Sequence, residues 1–269
     1  MTRYDLAELR LLDSATGAPV AAQGTEESYR FGVVTVAEAV EHAITGRWQL
    51  PEFQRQFVWR PAQACALADS LWRNYPIGPL LLWQVSKSDS GQPSLWIADG
   101  QQRLTTLCLL SGAVPLWLKR TPGQADERIR RRFDIRFDVS ARTAPRFIAP
   151  GRRGSGRDPR LVPVRRLMAI GADSRGGANE LERMVRELRA AHCCPELDDT
   201  EIYRRLSRVA TICRREILAT FVTHRQRDEV LDIFARLNSR GMRFRRLLLK
   251  LAMEEIPAAL RGMKGRGQL

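Results

Sequence analysis

The sequence predicts an α+β fold, in which a small mixed sheet with packed helices is followed by a mainly helical C-terminal part. Two short apolar runs, residues 80–85 and 95–98, have the length and composition of buried strands. The second run leads into a helix that is apolar nearly all round, which indicates a buried helix. A third, alternating run at residues 133–139 is predicted to complete the sheet. After about residue 176 the pattern is helical, and one predicted strand, residues 216–222, interrupts it.

Local signals place the first helices of this fold. Thr35 and Glu38 form a capping box for a helix over residues 36–44, and residues 47–50 are predicted to form a strand. Pro61 suits the first position of the next helix, because proline lacks the N–H that this position leaves unused. This helix is predicted to pack against the sheet.

Composition along the chain divides it into four segments. Residues 1–30 show little periodicity and are predicted to be a loosely ordered N-terminal arm, and residues 31–140 hold the α/β core. Residues 141–175 are rich in Arg, Gly and Pro with few apolar anchors, which predicts a mobile basic loop. Residues 176–269 form a helical elaboration. Its helices are predicted at residues 180–191, 200–215, 226–237 and 245–260.

The charge balance favours a polyanionic partner. Lys and Arg outnumber Asp and Glu by 44 to 30, for a formal net charge of +14, and nearly all of the basic residues are arginine. Basic surfaces bind nucleic acids by releasing counterions, so DNA is the leading partner class. An arginine bias can also reflect a GC-rich genome.

Targeting and redox signals predict a cytoplasmic protein without membrane contact. The N-terminus is charged, and the apolar stretch at residues 104–118 is broken by Gly112 and Pro115. Five cysteines are an odd number and read as reduced thiols. The one local cluster, His192-Cys193-Cys194-Pro195, has no second pair at zinc-ligand spacing, so no protein metal centre is predicted.

The turn Asp99-Gly100-Gln101-Gln102-Arg103, between the strand at 95–98 and the buried helix, is the candidate active site. Gly100 removes a Cβ where backbone would approach a phosphate, and the helix N-terminus favours an anion. Arg103 adds a guanidinium, and Thr105 adds a hydroxyl two residues later. The alternative is a structural Asp-Gly turn, with Asp99 as N-cap and the glutamines satisfied internally.

Four blocks of sequence stand out in order along the chain: residues 50–59, 75–83, 99–103 and 233–241, the last containing Asn238-Ser239-Arg240-Gly241. Together they resemble one family, the N-terminal domain of GmrSD-type restriction endonucleases. The resemblance implies a ParB/sulfiredoxin-like fold, nucleotide binding and a role in bacterial defence against foreign DNA such as phage.

The resemblance also implies further site residues, each with a structural alternative. Gln54 and Arg55 would face the turn. Phe53, Phe57 and Trp59 would form a pocket wall or, equally, an aromatic staple that holds the loop to the helix. Aromatic and arginine residues alternate in this run, which is weak evidence for a clamp on single-stranded nucleic acid. Asn238 and Ser239 would line the ligand site, or form a plain helix–helix turn. After Gly241 the sequence departs from the usual family pattern.

Two sets of basic residues are predicted to contact DNA phosphates. Arg152, Arg153 and Arg157 lie in the predicted basic loop, and Arg243, Arg246 and Lys250 fall on one side of a predicted helix. A solvated helix face is the alternative meaning of the second set.

These features together predict a module that binds a nucleoside triphosphate with Mg²⁺ at the turn and DNA on its basic surface. Asp99 would orient a water, Gln101 and Gln102 would position phosphate or water, and Arg103 with Arg55 would offset phosphate charge. Hydrolysis is a secondary expectation. The rival hypothesis is a non-catalytic DNA-binding or adaptor protein with a vestigial nucleotide site.

DNA cleavage by this chain alone is not expected. Family members that cut DNA usually carry an HNH-type nuclease domain, and the sequence after Gly241 is too short to supply one. The three histidines have no spacing that builds a metal centre or a Ser-His-Asp relay. A separately encoded HNH-type nuclease subunit is therefore a predicted partner, while the oligomeric state stays open.

Overall fold

A computed structural model describes residues 10–12, 19–20, 29–51, 54, 56–85, 94–118, 124–151, 158–173, 176–223 and 229. The strands are β1 (Arg10–Leu12), β2 (Pro19–Val20), β3 (Tyr29–Thr35), β4 (Trp48–Gln49), β5 (Leu80–Val85), β6 (Ser94–Asp99), β7 (Arg136–Asp138), β8 (Phe147–Ile148), β9 (Leu161–Pro163) and β10 (Glu216–Val222). The helices are α1 (Val36–Thr45), α2 (Pro61–Trp72), α3 (Gln101–Leu110), α4 (Gln124–Arg132), α5 (Val164–Ala172), α6 (Gly177–Ala190) and α7 (Asp199–Ala210).

The mixed α/β chain divides into two compact units. The first draws on residues 1–33, 80–99 and 218–269, and the second on residues 34–79 and 100–217. The α+β class predicted from the sequence is compatible with this architecture. None of the helices in the described part of the chain combines the length and the apolar character that crossing a bilayer requires.

The first unit is built on a mixed sheet with the strand order β2-β1-β3-β10-β5-β6. β10 runs parallel to β5, with Phe221 opposite Leu82, and β6 is antiparallel to β5. The strands predicted at 80–85 and 216–222 have the observed bounds, and the one at 95–98 lies within β6. β1 and β2 lie within the segment predicted to be a loosely ordered arm; β1 pairs antiparallel with β2 and with β3, and strands of two or three residues are too short to show a periodic pattern.

Apolar side chains cover one part of this sheet. Leu81, Trp83, Ala98 and Val222 form a buried cluster, and Trp96 packs against it. The rings of Trp83 and Trp96 lie edge to face with centroids 5.4 Å apart, an arrangement that aromatic quadrupoles favour. The cluster therefore ties β5, β6 and β10 together through side chains as well as through the ladder.

The helices of the second unit begin where local signals predict. The Glu38 N–H donates to Thr35 Oγ1 and the Thr35 N–H donates to Glu38 Oε2, so the predicted capping box begins α1. α2 begins at Pro61, as predicted. Residues 101–110 form α3, and all except Arg103 are buried, which confirms a buried helix.

A second, three-stranded sheet with the order β8-β7-β9 corrects one expectation. Residues 133–139 do not complete the main sheet; β7 is the centre of this separate sheet, between two short antiparallel strands. Both partner strands come from the segment predicted to be a basic loop, which also contains α5. The four-segment division stays a prediction, but the described part of residues 141–175 is not simply loop.

The last helices of the second unit lie close to their predicted positions. α6 and α7 occupy the ranges predicted at 180–191 and 200–215, with α7 ending at Ala210 and a 3₁₀ turn following over Thr211–Arg214. Asp198 caps α7 by accepting from the Glu201 N–H at 2.7 Å. The helices predicted at 226–237 and 245–260 lie outside the described residues, apart from residue 229.

Candidate functional site

The turn that carries the candidate site begins with a left-handed glycine. β6 ends at Asp99, and Gly100 is the N-cap of α3 with φ 95°, a conformation that a side chain would strain. No side chain caps this helix. The structural alternative is therefore wrong in making Asp99 the N-cap, because Gly100 occupies that position. Its second part, glutamines satisfied within the protein, holds for Gln102. The positive end of the α3 dipole lies at Gly100–Arg103.

Gln102 holds the loop before α2 through three hydrogen bonds of its side-chain amide. Its Oε1 accepts from the Val58 N–H at 2.9 Å and the Trp59 N–H at 3.3 Å, and its Nε2 donates to the Gln56 carbonyl at 3.1 Å. Both Oε1 lone pairs are thus used. Gln102 therefore joins residues 56–59 to the turn, while the approach of Gln54 and Arg55 to the turn stays a prediction.

Arg103 reaches the segment that follows α2. Its Nη1 donates to the Ile77 carbonyl at 3.0 Å. A Cβ built on Gly78, whose φ is +83°, would lie 2.9 Å from the same Nη1 atom. The absence of a side chain at residue 78 therefore leaves the space that the Arg103 guanidinium fills.

The remaining polar residues of α3 are buried. Thr105 is fully buried, and its Oγ1 accepts from Trp117 Nε1 at 2.9 Å. Thr106 Oγ1 donates to the Gln102 carbonyl at 2.8 Å, and Gln101 is 5% exposed. The Thr105 hydroxyl accepts from Trp117 and still has its own O–H to donate, so its contact with a phosphate stays a prediction.

The loop itself is organised by backbone and aromatic contacts. The Gln54 N–H donates to the Pro51 carbonyl at 3.0 Å. Phe57 packs on Phe133 with ring centroids 5.4 Å apart. This contact favours the interpretation of Phe57 as part of an aromatic staple, because its ring packs on another aromatic ring of the same unit.

The family of the chain follows from comparison with known proteins. A family model described as "GmrSD restriction endonuclease, N-terminal domain" matches residues 36–247. The chain belongs to this GmrSD N-terminal domain family. The match spans both the turn and the loop before α2, and membership makes the chain a module related to restriction systems. No curated protein matches the sequence.

Several predicted residues of this GmrSD domain lie outside the described residues. They are Arg55, Asn238 and Ser239 of the nucleotide site and Arg152, Arg153, Arg157, Arg243, Arg246 and Lys250 of the basic sets. Their roles stay predictions. Of the predicted set, the structure joins Gln102 to residues 56–59 and Arg103 to Ile77.

Metal chemistry in the GmrSD domain can be assessed over the described residues. They contain no group of three His, Cys, Asp or Glu side chains that would hold a metal ion. At the His192-Cys193-Cys194 cluster, burial raises the pKa of the Cys194 thiol to about 11.

Sequence reasoning missed the residues that position Arg103. The carbonyl of Ile77 and the missing side chain of Gly78 fix the guanidinium, yet neither presents a functional group of its own. A signal was present in Pro76-Ile77-Gly78-Pro79, where a glycine lies between two prolines. Such a glycine indicates a positive φ or a close approach.

Proposed function

We propose that this chain is a nucleotide-binding, DNA-associated module of a restriction-type defence system. Membership of the GmrSD N-terminal domain family supports the restriction context, and the turn at Gly100–Arg103 supports the nucleotide. The net charge of +14 supports an association with DNA. A separately encoded nuclease subunit stays a predicted partner.

The residues at the turn fit a nucleoside triphosphate with Mg²⁺. A helix N-terminus and a guanidinium both favour phosphate oxygens, and Gly100 lets backbone approach them. Mg²⁺ needs only one or two carboxylates beside phosphates and water, so Asp99, which precedes Gly100 in the chain, suffices as the protein's ligand. Nucleotide-bound Mg²⁺ would supply charge neutralisation for the phosphates.

Each residue then has a defined role in the proposed site. Arg103 offsets charge on the phosphates, Asp99 orients a water or holds the metal, and Gln101 positions phosphate or water. Gln102 acts through the loop that it holds, because its amide oxygen is already engaged by Val58 and Trp59. Hydrolysis of the triphosphate is the secondary part of the proposal.

The position of Arg103 carries this proposal. It extends from the first turn of α3, and its Nη1 is held by the Ile77 carbonyl in the space that Gly78 leaves. Arginine prepositioned in this way spends less side-chain entropy on binding an anion.

A thermal-shift series with ATP, GTP, CTP and UTP, each with and without Mg²⁺, tests the nucleotide site. A ligand that binds only the native state stabilises it by about 2.7 kcal/mol at a hundredfold excess over Kd, so one nucleotide raises the Tm of the wild type. Arg103→Ala abolishes this shift. Arg131→Ala, a surface arginine of α4 that pairs with Glu127, is the control and keeps it.

An Arg103→Ala protein with the full nucleotide shift would contradict the site. Its Tm without nucleotide is recorded as well, because the variant also leaves the Ile77 carbonyl without this donor. Phosphate release by wild type and by Asp99→Asn tests hydrolysis separately, since loss of turnover with retained binding would locate the defect in the chemical step.

The non-catalytic adaptor remains the second candidate, and one observation favours it. Gln102 and Thr105 direct their polar atoms to protein partners, as residues of a purely structural turn would. This candidate predicts DNA binding with no effect of any nucleotide on Tm.

A further inference from the structure

Arginine side chains gather around one tryptophan at the C-terminal end of α2. The guanidinium carbons of Arg208 and Arg146 lie 4.1 Å and 4.4 Å from the centroid of the Trp72 ring. Arg208 Nε also donates to the Trp72 carbonyl at 2.7 Å. Helix end and ring both attract cations, which explains why like charges are held together here.

Two more arginines extend this cluster along the segment after α2. Arg215 Nη1 donates to Asn74 Oδ1 at 2.6 Å, and the Arg73 guanidinium lies 5.8 Å from the centroid of the Tyr75 ring. Tyr75 is 56% exposed, so an aromatic face is presented to solvent beside the charges. Arg204 lies one turn before Arg208 on α7, and its positive charge acts on Arg208. We call Arg73, Arg146, Arg204, Arg208 and Arg215 the Trp72 arginine surface.

Carboxylates compensate this surface only in part. Asp69 pairs with Arg73 and Arg146, and Glu201 pairs with Arg204. No carboxylate among the described residues forms an ion pair with Arg208 or Arg215. Burial lowers the pKa of Arg208, and the positive charges of Arg204, Arg215 and Arg146 lower it further. An anion placed here would relieve that repulsion.

The surface also has hydrogen-bond donors to offer. Within the described chain, Arg208 uses only its Nε as a donor, which leaves the N–H groups of its two terminal nitrogens for a ligand. Arg215 Nε is buried without a hydrogen-bond partner, so this guanidinium can offer a ligand only its terminal nitrogens. Guanidinium groups of this kind match the oxygens of phosphate esters in pairs.

We propose that the Trp72 arginine surface binds the backbone phosphates of duplex DNA. The proposal rests on the DNA association in the proposed function and names where it occurs. Five arginines from four parts of the chain exceed what one small anion requires, whereas a duplex presents a phosphate on each strand at every base step. Such phosphate contacts position the DNA on the protein but do not read its sequence.

Fluorescence anisotropy with a labelled 20-base-pair duplex, measured over a salt series, tests this surface. The test variant is Arg208→Gln/Arg215→Gln, and the control is Arg128→Gln/Arg186→Gln, two exposed arginines of α4 and α6 that carry the same charge loss. The test variant loses affinity about tenfold or more at 100 mM salt, and its log K against log salt slope falls by about one per lost phosphate contact. The control changes affinity by less than about threefold.

Two companion measurements keep the test decisive. If circular dichroism shows that the first variant does not fold, Arg73→Gln/Arg204→Gln at the rim replaces it, with the same expected direction. A test variant that matches the control in affinity and slope overturns the surface while leaving DNA association intact. A wild type that binds phosphatidylserine vesicles but no duplex overturns both the surface and the DNA association. The thermal-shift series with wild type and Arg103→Ala then still tests the nucleotide site by itself.

Discussion

Gln102 shows how one side chain can fix a loop without an ion pair. An amide supplies an acceptor for two backbone N–H groups and a donor for one carbonyl, which neither a carboxylate nor an ammonium can do. The residue is 6% exposed, so water replaces these bonds poorly. The loop before α2 therefore depends on residue 102 being glutamine.

Replacement of Gln102 by Ala lowers the free energy of unfolding by about 1–3 kcal/mol, because partly buried backbone groups lose their partners. Gln102→Glu is destabilising as well, since a carboxylate would face the Gln56 carbonyl. Urea denaturation measures both, with the exposed Gln49→Ala as control. If Gln102→Ala is as stable as the control, the amide does not hold the loop.

At this scale the sequence predicts residue types better than their partners. The Asp99–Arg103 turn was identifiable because Gly, Gln and Arg follow a strand. The sequence does not predict that Gln102 binds the backbone of residues 56–59 or that Arg103 binds the Ile77 carbonyl, because every residue's backbone offers the same groups. A hydrogen bond to a main-chain group does not depend on the partner's side chain, so the partner's residue type does not predict it.

At the scale of elements, helices α5 and α7 pack closely at Gly171. Among the described glycines, Gly171 has the least space for a side chain. A Cβ built on Gly171 would lie 1.9 Å from the Ala210 carbonyl oxygen, a backbone atom that cannot rotate away. Cys213 Sγ lies 3.0 Å from the same position. The two helices can approach this closely only because residue 171 has no side chain.

Gly171→Ala therefore destabilises the fold by about 3 kcal/mol despite the better helix propensity of alanine. Gly151→Ala is the matched control. Its φ is +90° but nothing lies within 4 Å, so the control measures backbone strain of about 1 kcal/mol without a clash. Thermal unfolding of both proteins reports the difference. Equal losses would mean that α5 and α7 separate at little cost.

Elements with a strong local signal were predictable, and those that depend on distant partners were not. The capping box at Thr35 and the proline at Pro61 begin α1 and α2 where expected. α4 has hardly any apolar stripe; its acidic first turn and basic last turn, with the Glu127–Arg131 pair, favour the helix instead. β7 is three residues long, and no alternation of that length specifies which sheet it joins.

For the molecule as a whole, the excess of arginine changes the behaviour of the carboxylates. Hydrogen bonds from Arg183 and then Arg166 lower the pKa of Glu180 to about 2, and those from Arg204 and Arg205 lower the pKa of Glu201 to about 2. A carboxyl group with a lowered pKa in the folded state stabilises that state above its ordinary pKa of about 4.5, and the contribution is lost as the pH falls towards 2.

The variant Glu180→Gln/Glu201→Gln is accordingly less stable than the wild type at pH 6, and this difference in Tm shrinks between pH 4.5 and 2 because glutamine does not titrate. Both carboxylates are partly exposed, so the effect is modest and weakens with added salt. Differential scanning calorimetry at pH 6, 4 and 2.5 measures it. A difference that stays constant with pH would show that the ion pairs do not set the acid stability.

The position of β10 between β3 and β5 has a consequence for how the protein is made. Strands from residues 29–35 and 80–85 leave the ribosome early, yet the strand that joins them is translated more than 130 residues after β5. Until β10 is synthesised, β3 and β5 each have an unpaired edge, and unpaired strand edges can pair with other chains and aggregate. Expression at a reduced rate or with a holdase chaperone should therefore raise the yield of folded protein, and any shortened version must keep residue 222.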